Sequence, residues 1–148
     1  MGYGARELAD RREIDDLLIR YTAAIDAKDW ALLDSCFTPD AHVDYTSSNG
    51  IAGKYPEVRA WLAKALAIFP VTIHAISNSR IELDGDRARG RTLVNNPMVL
   101  PKGDGGRFVF TVYAYYHDEL VRTPQGWRIA KRVEEQLLIT GDVPAGLG

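Results

Sequence analysis

The sequence predicts an α+β fold: a cone-shaped α+β barrel in which N-terminal helices pack on a strongly curved, mainly antiparallel sheet that encloses a pocket. Two observations carry this expectation. Apolar residues recur at helical spacing up to about residue 67, and beyond Pro70 the pattern changes to long segments of strand character. Those segments are joined by short turns, and consecutive hairpins imply an antiparallel meander.

The first helix is expected over residues 5–27, where Leu8, Ile14, Leu17, Leu18, Tyr21 and Ile25 form an apolar stripe with Arg11, Arg12, Asp15, Asp16 and Lys28 on the wet side. Asp29 suits the N-cap of a short second helix reaching Cys36, from which Trp30, Leu33 and Phe37 pack inward, and Thr38-Pro39-Asp40 breaks it. A short strand follows over 41–46, then the turn Ser47-Ser48-Asn49-Gly50, and Pro56 fits the first turn of a third helix to about Ala67. Four long strands are expected over 71–83, 87–100, 107–122 and 127–139, separated by Asp84-Gly85-Asp86, the loop 101–106 and Thr123-Pro124-Gln125-Gly126. In the third of these, Phe108, Phe110 and Val112 share one face and Val109, Tyr113 and Tyr115 the other, so one face is expected to be covered by the helices and the other to enclose something.

The 148 residues are expected to form one domain, 1–148, large enough to hold an internal cavity. Eighteen basic against twenty acidic residues, with the signs interspersed, argue against nucleic-acid and membrane-surface partners. A single cysteine, Cys36, excludes an internal disulfide, and no apolar run reaches the length of a spanning helix, so a cytoplasmic location is expected.

The residues suited to chemistry are Asp26 at the border of the first helix's apolar stripe, the histidines His42, His74 and His117, and the phenols Tyr21 and Tyr45. Periodicity alone does not rank the histidines, nor does it separate Asp26 from an ordinary helix-end aspartate. Arg132 shares strand phase with Glu134 and Gln136, which fits an exposed ion-pairing strand as well as a pocket position. The histidines lack metal-binding spacing and no glycine-rich phosphate loop follows a strand, so no cofactor is expected.

The segments YTAAIDAKDWALLDSCFTPDAHVDY, TIHAISNSRIELDGD and GWRIAKR resemble the SnoaL-like branch of the nuclear transport factor 2-like superfamily over nearly the whole chain. Within it the pattern is similar to the scytalone dehydratase, bile acid 7α-dehydratase and hexachlorocyclohexane dehydrochlorinase families. That resemblance implies catalytic roles for Asp26 and His74 as an Asp–His base dyad, with Tyr45 and Tyr21 as acid or enolate-stabilising phenols, and it places an arginine role on Arg132. A second pocket histidine and an asparagine of scytalone dehydratase are replaced here by Asn95, Asn96 or Met98 and by Tyr115. Trp30, Asn96, Phe110, Tyr115 and Arg132 are the expected substrate-binding residues. The implied activity is a cofactor-independent lyase acting on a cyclic apolar small molecule such as a steroid or polyketide. An isomerase, a polyketide cyclase or a noncatalytic ligand-binding module are the alternatives. A homo-oligomer is implied as well, a trimer first and a dimer second.

Overall fold

The computed structural model describes residues 2–147. Helix α1 spans Ala5–Ala27 and α2 spans Trp30–Asp34. Strand β1 covers Phe37–Asp44, β2 Ala52–Lys54, helix α3 Tyr55–Ala65, and then come β3 Val71–Thr72, β4 Ala75–Asp84, β5 Arg87–Pro101, β6 Arg107–Thr123 and β7 Gly126–Gly141. The strands form one seven-stranded, unclosed sheet in the order β2-β1-β7-β6-β5-β3, with β4 also paired to β5. All pairings are antiparallel except β1 with β7. The expected helical layer on a curved antiparallel sheet is therefore present.

Helix α1 buries Ile14, Leu17, Leu18, Tyr21, Ala24 and Ile25 against the sheet at the predicted spacing, although Leu8 lies outside the stripe at 52% exposure. It stops because Lys28 adopts the left-handed conformation (φ 54°) and its N–H closes on the carbonyls of Ala24 and Ile25. The Asp29 side chain caps α2 by accepting from Leu32 N–H at 3.0 Å, as expected.

Three boundaries differ from expectation. Helix α2 ends at Asp34, and Phe37 and Thr38-Pro39-Asp40 belong to β1. The proline is accommodated because β1 slips against β7 there: Phe37 pairs with Ile129 and the next pair is His42 with Lys131, so the intervening residues bulge out of the ladder. The expected strand over 71–83 is broken at Ile73 and His74, and the short strand β2 was absent from the prediction. The helices and the enclosed space also lie on the same face of the sheet. Phe110, Ala114, Tyr116, Asp118 and Leu120 of β6 are buried on that face, whereas Val109 and His117 on the other are exposed.

Two irregularities in β7 control which of its residues face inward. Relative to β6, whose inward phase runs unbroken, β7 carries one extra residue at Ala130 and another at Leu137. Trp127 and Ile129 point in, the extra residue advances the phase, and Arg132 then points in as well. Arg132 is fully buried. Its Nε and Nη2 donate to the two carboxylate oxygens of Asp118 at 2.7 Å each, and its Cζ lies 4.0 Å from the ring centre of Tyr116 and 4.2 Å from that of Tyr21.

A second polar anchor joins the first turns of α1 to the far end of the sheet. Arg122 donates to both carboxylate oxygens of Asp10, at 2.7 and 2.8 Å, and the Trp127 indole N–H donates to the same carboxylate at 3.2 Å. The Arg122 hydrogen bonds hold the Asp10 carboxyl down at about 2, from an ordinary 3.8, in spite of its burial. Because the folded value is depressed, the stabilisation is present above about pH 4 and is lost as pH falls toward 2. Asp10→Asn is expected to be less stable than the parent near neutrality, with the difference shrinking through that acid window; urea melts at several pH values measure it, and a pH-independent difference contradicts the assignment. Removing one member of the Arg132–Asp118 pair leaves a buried charge alone, so Asp118→Asn or Arg132→Met is expected to cost about 3–5 kcal/mol in urea unfolding. The double variant Arg132→Met/Asp118→Leu is expected to recover most of that loss, and additive losses would contradict the pairing.

Candidate active site

Asp26 sits in the last turn of α1, where the end of the helix meets the break between β3 and β4. At that break the His74 backbone N–H donates to Asp26 Oδ2 at 2.8 Å, and the Thr72 hydroxyl donates to Oδ1 at 3.3 Å. The His74 ring closes the arrangement, with Nδ1 2.6 Å from Asp26 Oδ1. One carboxylate thus fixes both the main chain and the imidazole of the same residue. The helix end is itself tied down by the Lys28 ammonium, which donates to the Phe69 carbonyl at 2.6 Å and so crosses to the segment leading into β3. The carboxylate and imidazole are both shielded, with side-chain exposures of 28% and 8%.

With Nδ1 donating to the carboxylate, Nε2 is left as the acceptor. It lies 2.8 Å from Asn96 Nδ2, an inward-facing amide of β5. The Asn96 carbonyl oxygen is buried and has no hydrogen-bond partner among the described residues.

His74 and Asn96 line a cavity of about 190 Å³ between the helices and the concave face of the sheet. Its walls are mostly apolar, with Ile25, Trp61, Leu66, Phe69, Met98 and Phe110 among them. Polar groups enter from Tyr21, Tyr45, His74, Asn96, Glu134 and Gln136. The Tyr21 and Tyr45 hydroxyls are 2.7 Å apart, and burial pushes both phenols well above their ordinary range, so both keep their protons. Tyr45 immediately follows β1 and is held by the turn after it: Gly50 N–H donates to the Tyr45 carbonyl at 2.9 Å. A Cβ on Gly50 would meet that carbonyl at 2.7 Å and the Trp61 ring at 2.9 Å, which is why the turn requires glycine.

The structure brings together Asp26, His74, Tyr21, Tyr45, Asn96 and Phe110 of the residues singled out in the sequence. It separates the histidines, since His42 and His117 are exposed and lie outside the cavity. Three expected substrate-binding residues are corrected. Trp30 opens α2 and packs at the edge of the core, away from the cavity that Trp61 of α3 lines instead. Tyr115 points to the convex face, where the Arg91 guanidinium lies 4.6 Å from its ring, because even-numbered residues of β6 face inward and Tyr116 takes the inner position. Arg132 does face inward, but it lies behind Tyr21 and Tyr116 with its charge committed to Asp118 and does not reach the cavity wall.

Sequence reasoning missed Thr72 and Glu134. The second carries the larger consequence, for the bulge at Ala130 that buries Arg132 also turns Glu134 inward to line the cavity. No alternation rule reveals such a bulge, although the mismatch between inward Trp127 and Ile129 and a polar run at 132, 134 and 136 is the available signal. No group of three or more His, Cys, Asp or Glu residues among the described residues could hold a metal ion, and no described helix is long and apolar enough to cross a membrane.

Comparison with known proteins agrees with this fold. An uncharacterized protein of Mycobacterium tuberculosis strain H37Rv is 45% identical over 128 residues, 86% of either chain. A crystal structure of a protein from Kribbella flavida superposes with a TM-score of 0.83 at 28% identity, covering 90% of this chain and 95% of that one. A hexachlorocyclohexane dehydrochlorinase, type 2, superposes with a TM-score of 0.77 at 26% identity, covering 95% and 97%. The sequence profile of the SnoaL-like domain matches residues 6–133, and the chain belongs to that family.

Proposed function

We propose that the cavity is the active site of a cofactor-independent lyase that removes a proton and a β leaving group from a compact, largely apolar cyclic molecule. The observation that carries this reading is the Asp26–His74 contact at the cavity wall, which holds Nδ1 on a carboxylate and leaves Nε2 as the available base. Asp26 orients the ring and stabilises the imidazolium formed when His74 takes the proton. Asn96 donates to Nε2 and marks where the substrate C–H would stand after displacing it. Tyr21, Tyr45 and Tyr116 stand together in the cavity wall, and their hydroxyls are the donors offered to a developing enolate oxygen.

Cavity size sharpens the substrate class. An apolar cavity of about 150 Å³ holds benzene, so 190 Å³ suits a single substituted ring, and a steroid would extend through the open end of the cone. The dehydrochlorinase neighbour is named for a single halogenated ring, which fits that size. An isomerase would use the same base and differ in returning the proton to another carbon.

His74→Ala is expected to abolish turnover of any β-substituted cyclic ketone that the parent protein converts, and Asp26→Asn to cut it by about 10²–10⁴-fold while binding persists. The exposed His42→Ala and His117→Ala serve as controls; a comparable loss in either, with the fold intact, would contradict the choice of base. Tyr45→Phe is expected to slow substrates with good and poor leaving groups alike, because a phenol held well above its ordinary range stabilises charge by hydrogen bonding better than it surrenders a proton. A loss confined to the poor leaving group would instead make Tyr45 the acid.

A further inference from the structure

Elimination of hydroxide needs a proton on the departing oxygen, and the phenols are poorly suited to give one. We propose that Glu134 is the general acid of the cavity, donating its carboxyl proton to the leaving oxygen. This rests on the elimination reading above and adds the second half of the proton transfer. Glu134 lines the same cavity as His74, comes from a different strand, and is not consumed by any ion pair: its Oε1 is buried and has no partner among the described residues. An unpartnered buried carboxyl oxygen is costly in a binding wall, and it is relieved by a proton or by a substrate hydroxyl.

The surroundings support a protonated group. Burial pushes the Glu134 carboxyl up, opposed by the hydroxyls of Ser48 and Ser47, by the His74 ring once it is protonated, and by the Arg132 charge. The titratable phenols of Tyr45, after β1, and Tyr116, on β6, also face it, and its proximity raises both of them further. Arg132 is already neutralised by Asp118, so Glu134 gains no dedicated counter-charge from it. The sequence thus places two proton-transfer groups of different kind in one cavity, a base oriented by a carboxylate and a carboxyl that burial pushes up.

The step balances without a co-reactant. His74 Nε2 takes the proton next to the carbonyl, the C–H electron pair becomes the new C=C bond, and the C–O bond breaks with its pair going to oxygen. That oxygen takes the Glu134 proton and leaves as water. The imidazolium then returns its proton through solvent to the carboxylate, restoring both residues.

The test uses a matched pair, 3-hydroxycyclohexanone and 3-chlorocyclohexanone, because chloride leaves unprotonated. Glu134→Gln keeps the shape of the side chain and is expected to lower kcat for water release by about 10²–10³-fold and to lower kcat for chloride release far less. In the parent protein, water release should fall as pH rises through the Glu134 pKa, and chloride release should lack that limb. Equal losses on both substrates, or none, overturn the role of Glu134 alone. Parent protein that converts neither ketone overturns the elimination reading and this proposal together. Carbon-13 NMR titration of the Glu134 carboxyl gives a readout independent of turnover: a value raised above the ordinary glutamate range supports the proposal, and one at or below it overturns it.

Discussion

The buried Arg132–Asp118 ion pair is the constraint on which the rest of the interior depends. Two parallel 2.7 Å hydrogen bonds lock adjacent residues of β6 and β7, while the guanidinium face is covered by Tyr21 from α1 and Tyr116 from β6. A charge taken out of water in this way is tolerated only with its partner and its ring contacts in place, so the pair fixes how deeply α1 settles on the sheet. Tyr21 carries that position onward. Its hydroxyl meets Tyr45, its ring lies at a centroid distance of 6.3 Å from that of His74, and the helix that bears it carries Asp26 in its last turn.

The same logic links local backbone irregularity to chemistry. Where the β3–β4 edge breaks, the His74 N–H is taken up by a side chain from another layer, and that side chain also holds the imidazole. Where β7 gains a residue at Ala130, polar side chains that would have faced water turn inward. Both departures from regular strand geometry deliver a titratable group to the cavity, consistent with the general tendency of bulges and breaks to lie beside functional sites.

Much of this was legible from the amino-acid order because it depends on periodicity. The stripe from Ile14 to Ile25 is set by helical geometry, and the hairpins around Gly85 and Gly126 by turn chemistry. Resemblance ranked Asp26, His74, Tyr21 and Tyr45 above the other candidates; His74, Tyr21 and Tyr45 line one cavity, and Asp26 is hydrogen-bonded to His74 behind its wall. What could not be read followed from phase and register. Pro39 resembles a helix terminator and a strand breaker, yet the slip of β1 against β7 lets it stand inside a strand. Tyr115 and Tyr116 differ by one residue and therefore by a whole sheet face. Glu134 was hidden because a single extra residue reverses every inward assignment after it.

The proposed elimination turns on one prepared nitrogen: Asp26 must hold the proton of neutral His74 on Nδ1 so that Nε2 can accept another. Nitrogen-15 NMR of histidine-labelled protein, recorded where the ring is neutral, measures this directly through the separation of the two ring-nitrogen shifts. The Nδ1–H tautomer is expected for His74 in the parent protein, with loss of that preference in Asp26→Ala. An Nε2–H tautomer in the parent protein would contradict it, because the nitrogen facing the cavity would then be a donor and the carboxylate would have no proton to hold.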